Sequence, residues 1–337
     1  MHEQTPIGRA PADEPRHVPQ SEPKRQPEPG RQPEPPSGRQ HEICWGEHSA
    51  TIVEVGAGIR EYSHAGVPVL EAYPLQEICD GGHGAPLIPW PNRLAGGRYS
   101  FDGAERQLDL SEPSRGNAIH GLLRWRSWSA ADARAASVVM RTRLAPSPGY
   151  PFSLEVRIAY ELGEGGLTVA TTALNTGAHA CPYGAGQHPY LSPGTGLLDA
   201  CTLTLQASTR LIADQQSQVP VGREPVPAEL DFSSARRIGD QVIDTAFTGL
   251  ARDGEGIARA LLGRADGSCV ELWADSHHGY LQVFTGDTLA AGRRRTGLAV
   301  EPMTCPANAF RSGESLIRLE PGEMITTRWG VRPLPAG

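Results

Sequence analysis

The chain has 337 residues, 39% of them hydrophobic, with 39 glycines, 30 prolines and a formal net charge of −7. That length can bury a substantial core, as one large domain or two smaller ones. The acidic balance argues against a nucleic-acid partner, which needs a basic stripe to neutralise phosphates.

No stretch approaches the roughly 18 consecutive apolar residues of a membrane span, and the chain does not open on the apolar core of a signal peptide. The expectation is a cytoplasmic protein that binds neither membrane nor nucleic acid. The six cysteines (Cys44, Cys79, Cys181, Cys201, Cys269, Cys305) have no CxxC spacing. That pattern reads as free thiols and not as a zinc site.

Residues 1–40, through "PKRQPEPGRQPEPPSGRQ", are rich in Pro, Glu, Gln and Arg with scarcely an apolar side chain. Such a segment buries too little surface to offset its ordering entropy, so it reads as a disordered tail. From residue 41 the pattern changes. "SATIVEVGAGIREYSHAGVPVLE" alternates apolar and polar residues in short runs broken by glycine, the pattern of strands and hairpins.

Similar runs recur at "ASVVMRTRL", "SLEVRIAYELGEGGLTVATTALN", "CTLTLQA", "GSCVELWAD", "YLQVFTGD" and "SLIRLEPGEMITTRWGV". Within the second, Leu154, Val156, Ile158 and Tyr160 share one face, Glu155, Arg157 and Ala159 the other, and "GEGG" supplies a hairpin turn. No segment holds a 3.6-residue apolar period for three turns. The expected fold is all-β, two large antiparallel sheets packed face to face, in one domain over residues 41–337.

Four stretches break the alternation and collect polar residues beside Gly and Pro: "PLIPWPNRLAGGRYSFDG", "NAIHGLLRWRSW", "GAGQHPYLSPG" and "LAVEPMTCPANAF". Polar loops on a rigid scaffold are where function concentrates. Glu301 ends the apolar run Leu298-Ala299-Val300. A carboxylate buried there would have a raised pKa and act as a base near neutral pH; a solvent-facing strand end is the alternative. His188 lies in a Gly- and Pro-rich segment that reads as a turn, either approaching a ligand or simply structural. His120 and Arg93 carry the same two readings, and Asp244 in "VIDTAF" points into a cleft or caps a turn.

The set lacks a nucleophile motif, a P-loop, a dinucleotide fingerprint and metal-ligand spacing. His277 and His278 are a poor chelate, since neighbours on a strand face opposite sides. The chemistry expected is proton transfer and hydrogen bonding, with no cofactor and no metal.

"PLIPWPNRLAGGRYSFDG", "AIHGLLRWRSW", "GAGQHPYL", "IDTAFTGL" and "VEPMTCPANAFRSGESLIRLEPGE" resemble, in that order, the blocks of the aldose 1-epimerase (galactose mutarotase) family. The likeness is to its bacterial branch with "PWPNR" and "EPMT" signatures and runs from about residue 45 to 333. It implies a β-supersandwich and an isomerase of carbohydrate metabolism acting on a small aldose, as a monomer or homodimer. Position by position, it makes Glu301 the general base and His188 the general acid. His120 and Arg93 would hydrogen-bond sugar and ring oxygens, and Asp244 would hold hydroxyls on the far side. Trp90 and Tyr190 are expected either to stack on the apolar face of a pyranose or to pack in the core. The block around His188 differs from the "N-H-x-Y-[FW]-N-L" wording of better-known galactose mutarotases, which leaves the sugar open.

Two other readings stand beside this one. An enzyme of the same fold acting on a hexose 6-phosphate or a C6-sulfonated sugar would need a cationic pocket, for which the arginines of "GRRRTG" (292–297) are candidates. The phosphate-sugar branch, however, has a "WPWFG"-like block where this chain reads "PWPNRLAG". A non-catalytic carbohydrate-binding domain would need no acid–base pair.

Overall fold

The computed structural model describes residues 1–2 and 34–336; the rest of the expected tail lies outside the described residues. Hydrogen bonding to the body begins ahead of residue 41. The amides of Val55 and Glu54 donate to the carbonyls of Ser37 and Arg39, each at 2.9 Å.

Residues 34–336 form two large antiparallel sheets of twelve and nine strands, with three small two-stranded sheets. Among the described residues the one α-helix is the four-residue Ala309–Ser312. The alternation in "LEVRIAYEL" is realised in Leu154–Gly163, where Leu154, Val156, Ile158, Tyr160 and Leu162 are buried. Gly163 pairs with Gly166, so Glu164 and Gly165 make the two-residue hairpin turn.

One core joins the sheets. Ile43, Ile52, Leu281, Val283, Leu298 and Val300 of the larger sheet pack with Val156, Ile158, Val169, Leu272 and Val331 of the smaller. Side chains alternate along a strand, so Leu298 and Val300 reach this core while Glu301 points from the opposite face of the same sheet. The strand Leu298–Met303 is nevertheless buried at every position, because loops cover that opposite face. The cleft lies between these loops and the sheet.

Candidate active site

Three neighbouring strands supply the floor. Glu301 pairs in register with Gln282, and Asp244–Leu250 lies on the far side of Tyr280–Phe284. Gln282 donates a hydrogen bond from Nε2 to Asp244 Oδ1 at 2.6 Å, fixing that carboxylate at the cleft wall.

The segment of His188 is extended, which corrects the expectation of a turn. Gly186 pairs with Met303 and Tyr190 with Ala299, a register that puts His188 opposite Glu301. On its other edge the His188 amide donates to the Ala85 carbonyl at 3.0 Å, and its carbonyl accepts from Gly84 at 2.9 Å. Directly opposed residues in antiparallel strands bring their Cβ atoms within about 5 Å. The side chains accordingly meet, with His188 Nε2 3.2 Å from Glu301 Oε1. Gly82 packs on the imidazole, where an added Cβ would lie 2.7 Å from His188 Cδ2.

Arg93 and His120 come from a small ribbon in which Arg93–Ala95 pairs with Asn117–Ile119. The His120 amide donates to the Asn92 carbonyl at 2.9 Å, and both residues take left-handed backbone (φ 61° and 55°). Such conformations are rare outside glycine and accumulate at functional sites. Arg93 grips Glu112 through two nitrogens, at 2.9 and 3.0 Å. Asn117 donates to the same carboxylate at 2.8 Å.

Arg93, His120, His188, Asp244 and Glu301 all line one cleft of about 460 Å³. Tyr190 is buried behind it, its ring 5.0 Å from that of His188 and nearly parallel. Trp90 does not reach the cleft: it is a core residue whose ring lies 5.4 Å from Phe310. Two aromatic side chains besides the histidines line the cleft, the half-buried Phe284 and Trp125, which is 51% exposed. Glu112, Gln282, Arg124 and Trp125 were not anticipated. A polar Gln282 inside the strand "YLQVF" and the second tryptophan of "RWRSW" were the available signals.

Burial dominates the electrostatics. Glu301 and His188 are 2% and 5% exposed. Loss of water pushes the Glu301 carboxyl well above the usual carboxylate range, with the Asp244 charge adding to the rise. The same loss pulls His188 down to about 3, with His83 adding to the fall. His120 is also lowered by burial and then by His188. Glu301 Oε2, His188 Nδ1 and His120 Nδ1 are buried without hydrogen-bond partners. Native proteins rarely leave such atoms unpaired, and here three converge on one polar site. The arrangement can transfer a proton at each of two positions while holding hydroxyl groups.

The chain matches the profile of the family described as Aldose 1-epimerase over residues 40–331. It is 36% identical over 288 residues to the "Uncharacterized protein YihR" of Escherichia coli K12, covering 85% of this chain and 91% of that protein. Among solved structures, the GalM/aldose epimerase homologue from C. elegans is similar with a TM-score of 0.77 at 15% identity, covering 88% of this chain and 99% of that one. The galactose 1-epimerase from Lactobacillus acidophilus NCFM is similar with a TM-score of 0.72 at 18% identity, covering 86% and 92%. With a family match over nearly all the described residues and a relative this close in sequence, the chain belongs to the aldose 1-epimerase family.

Proposed function

We propose that the protein is an aldose 1-epimerase, a mutarotase that interconverts the α- and β-anomers of an aldose by opening and reclosing the sugar ring. The observation that carries this reading is the His188–Glu301 contact of 3.2 Å, buried at the floor of a cleft of about 460 Å³. With the pair's single proton on His188, Glu301 takes the proton from the C1 hydroxyl, the bond from C1 to the ring oxygen breaks, and His188 delivers its proton to the ring oxygen. The resulting aldehyde turns by about half a rotation about the C1–C2 bond. His188 then removes the proton from that hydroxyl as it attacks the other face of C1, and Glu301 returns its proton to the carbonyl oxygen. Every proton taken is given back, so the pair ends as it began.

Burial of both groups suits this exchange. A neutral acid beside a neutral imidazole carries the same single proton as a carboxylate beside an imidazolium. Switching between the two states needs no exchange with solvent. Arg93 and His120 are placed to hydrogen-bond sugar oxygens, and Asp244 to hold hydroxyls across the cleft. Trp125 takes the stacking role against the pyranose face. A cytoplasmic location is supported by six unpaired cysteines.

NMR exchange spectroscopy on glucose, galactose, xylose and arabinose tests the reading. Anomer exchange should accelerate in proportion to enzyme for at least one sugar. Binding without acceleration of any, or of their C6-anionic analogues, would make the protein a carbohydrate-binding module instead.

A sugar with an anionic group at C6 is a second reading, favoured by Arg124. Arg124 lines the cleft with its guanidinium 5.1 Å from the Trp125 ring, and among the described residues that guanidinium forms no hydrogen bond or ion pair. Burial draws it below the usual arginine value, as expected of a cation short of a counter-ion. The arginines of residues 292–297 do not fill this role. Arg293 is tied to Glu77 at 2.7 Å, Arg295 to Asp199 at 2.6 Å and Asp287 at 2.9 Å, and Arg294, which is not among the cleft-lining residues, donates to the Leu289 carbonyl at 2.9 Å. On this reading Arg124→Gln lowers the rate on glucose 6-phosphate or 6-sulfonated glucose about tenfold or more, and hardly affects glucose. Equal losses on both would remove it.

A further inference from the structure

Behind the acid–base pair lies a further buried histidine, His83, that the reaction does not use. His83 is 1% exposed, and both its ring nitrogens face acceptors. Nδ1 is 2.6 Å from the Asp80 carbonyl, and Nε2 is 3.0 Å from Glu71 Oε2. A carbonyl can only accept, so Nδ1 carries a proton. The contact with Glu71 then requires a second proton, and an ionised carboxylate draws it onto Nε2. The other oxygen of Glu71 meets the Thr296 hydroxyl, which holds the carboxylate in place.

The His83 ring lies flat on Tyr190, with centroids 3.8 Å apart and planes within 6°. Tyr190 is pinned by its hydroxyl, which donates to the Gly81 carbonyl at 2.7 Å. Its ring is in turn nearly parallel to His188, at 5.0 Å and 14°. A cation over an aromatic face is attracted by the ring's quadrupole, more strongly where water is excluded. The stack therefore links Glu71 to the imidazole that touches Glu301.

We propose that His83 is a positioning residue for His188: held as a cation by Glu71 and Asp80, it clamps Tyr190 against the His188 ring and sets how the shared proton divides between His188 and Glu301. The kinetic part rests on the mutarotase reading; the stack and its charge do not. The other groups facing His188 are Glu301, His120 at 5.5 Å edge-on, Tyr190, Arg93 and Arg124. Among the two cations of this set and His83, it is His83 whose charge most disfavours a protonated His188.

The test uses the full-length protein with ¹⁵N-labelled histidine and two variants, His83→Gln and Glu71→Gln. Glu71→Gln keeps the size of the side chain and removes the anion that holds the second proton on His83, so it serves if His83→Gln does not fold. In either folded variant the His188 resonances should titrate higher than in the wild type, by roughly one pH unit. The pH–rate profile for anomer exchange should move to higher pH in the same direction, with kcat reduced about tenfold and KM nearly unchanged. Folded variants in which His188 titrates as in the wild type would overturn the proposal. A wild type with no exchange on any sugar would refute the mutarotase reading alone, because the His188 titration can still be measured.

Discussion

Glu301 and His188 occupy positions where folding removes the water that would solvate their charges, and this leaves a signature in stability. The folded protein keeps a proton on Glu301 that the unfolded chain releases above the ordinary value of 4.5. Above that pH the unfolded state binds fewer protons than the native state, so stability falls as pH rises. For His188 the sign is reversed: the unfolded chain takes a proton below 6.5 that the folded ring refuses down to about 3, so stability falls as pH drops through that window. Glu301→Gln removes the first effect. Its stability should therefore rise relative to wild type by at most about 1.4 kcal/mol per pH unit as pH increases from mildly acidic to mildly alkaline, read as a growing difference in melting temperature. A difference in melting temperature that stays flat with pH would show that Glu301 is ionised in the fold.

At the scale of elements, the site depends on strand register and on the tight turn that carries His120. Gly121 follows His120 with φ 70°, and a side chain there would collide with the Ile88 carbonyl. Gly121→Ala should cost at least about 1–3 kcal/mol through backbone strain, lower the melting temperature and weaken sugar binding by displacing His120. Unchanged melting and KM would mean that the turn can relax.

The strands themselves were legible because period-2 burial writes itself into "LEVRIAYEL". The segment of His188 was not, since its Gly and Pro content signals a turn, whereas pairing on both edges draws it out straight. Trp90 and Trp125 differ by burial alone, 3% against 51% exposed, and neither local sequence reveals which side chain meets the cleft. The Arg93–Glu112 grip joins residues 19 apart and depends on a ribbon that no spacing rule predicts. The His83–Tyr190–His188 stack is a product of tertiary folding and has no sequence signature.

For the whole molecule, the larger sheet floors the cleft with one face while its opposite face shares a core with the smaller one. The composition of residues 2–33 gives that segment almost nothing apolar to dock. Deleting 2–33 should leave the melting temperature and the exchange rate unchanged. Extending the deletion to residue 40 should lower the melting temperature, because it removes the carbonyls of Ser37 and Arg39 that accept from Val55 and Glu54. A large loss from the shorter deletion would show that the tail contributes to the fold or to activity.

The central claim is that Glu301 and His188 work as one acid–base unit, and it is tested most directly by anomer-exchange rates of Glu301→Gln, His188→Asn and the double variant. Spontaneous mutarotation must be subtracted from each rate. Each single change should lower the catalysed rate by about 10²–10⁴-fold while sugar affinity survives. The double variant should be no slower than the singles, because the groups act in the same step. A folded single variant that keeps more than about a tenth of the wild-type rate would contradict the account.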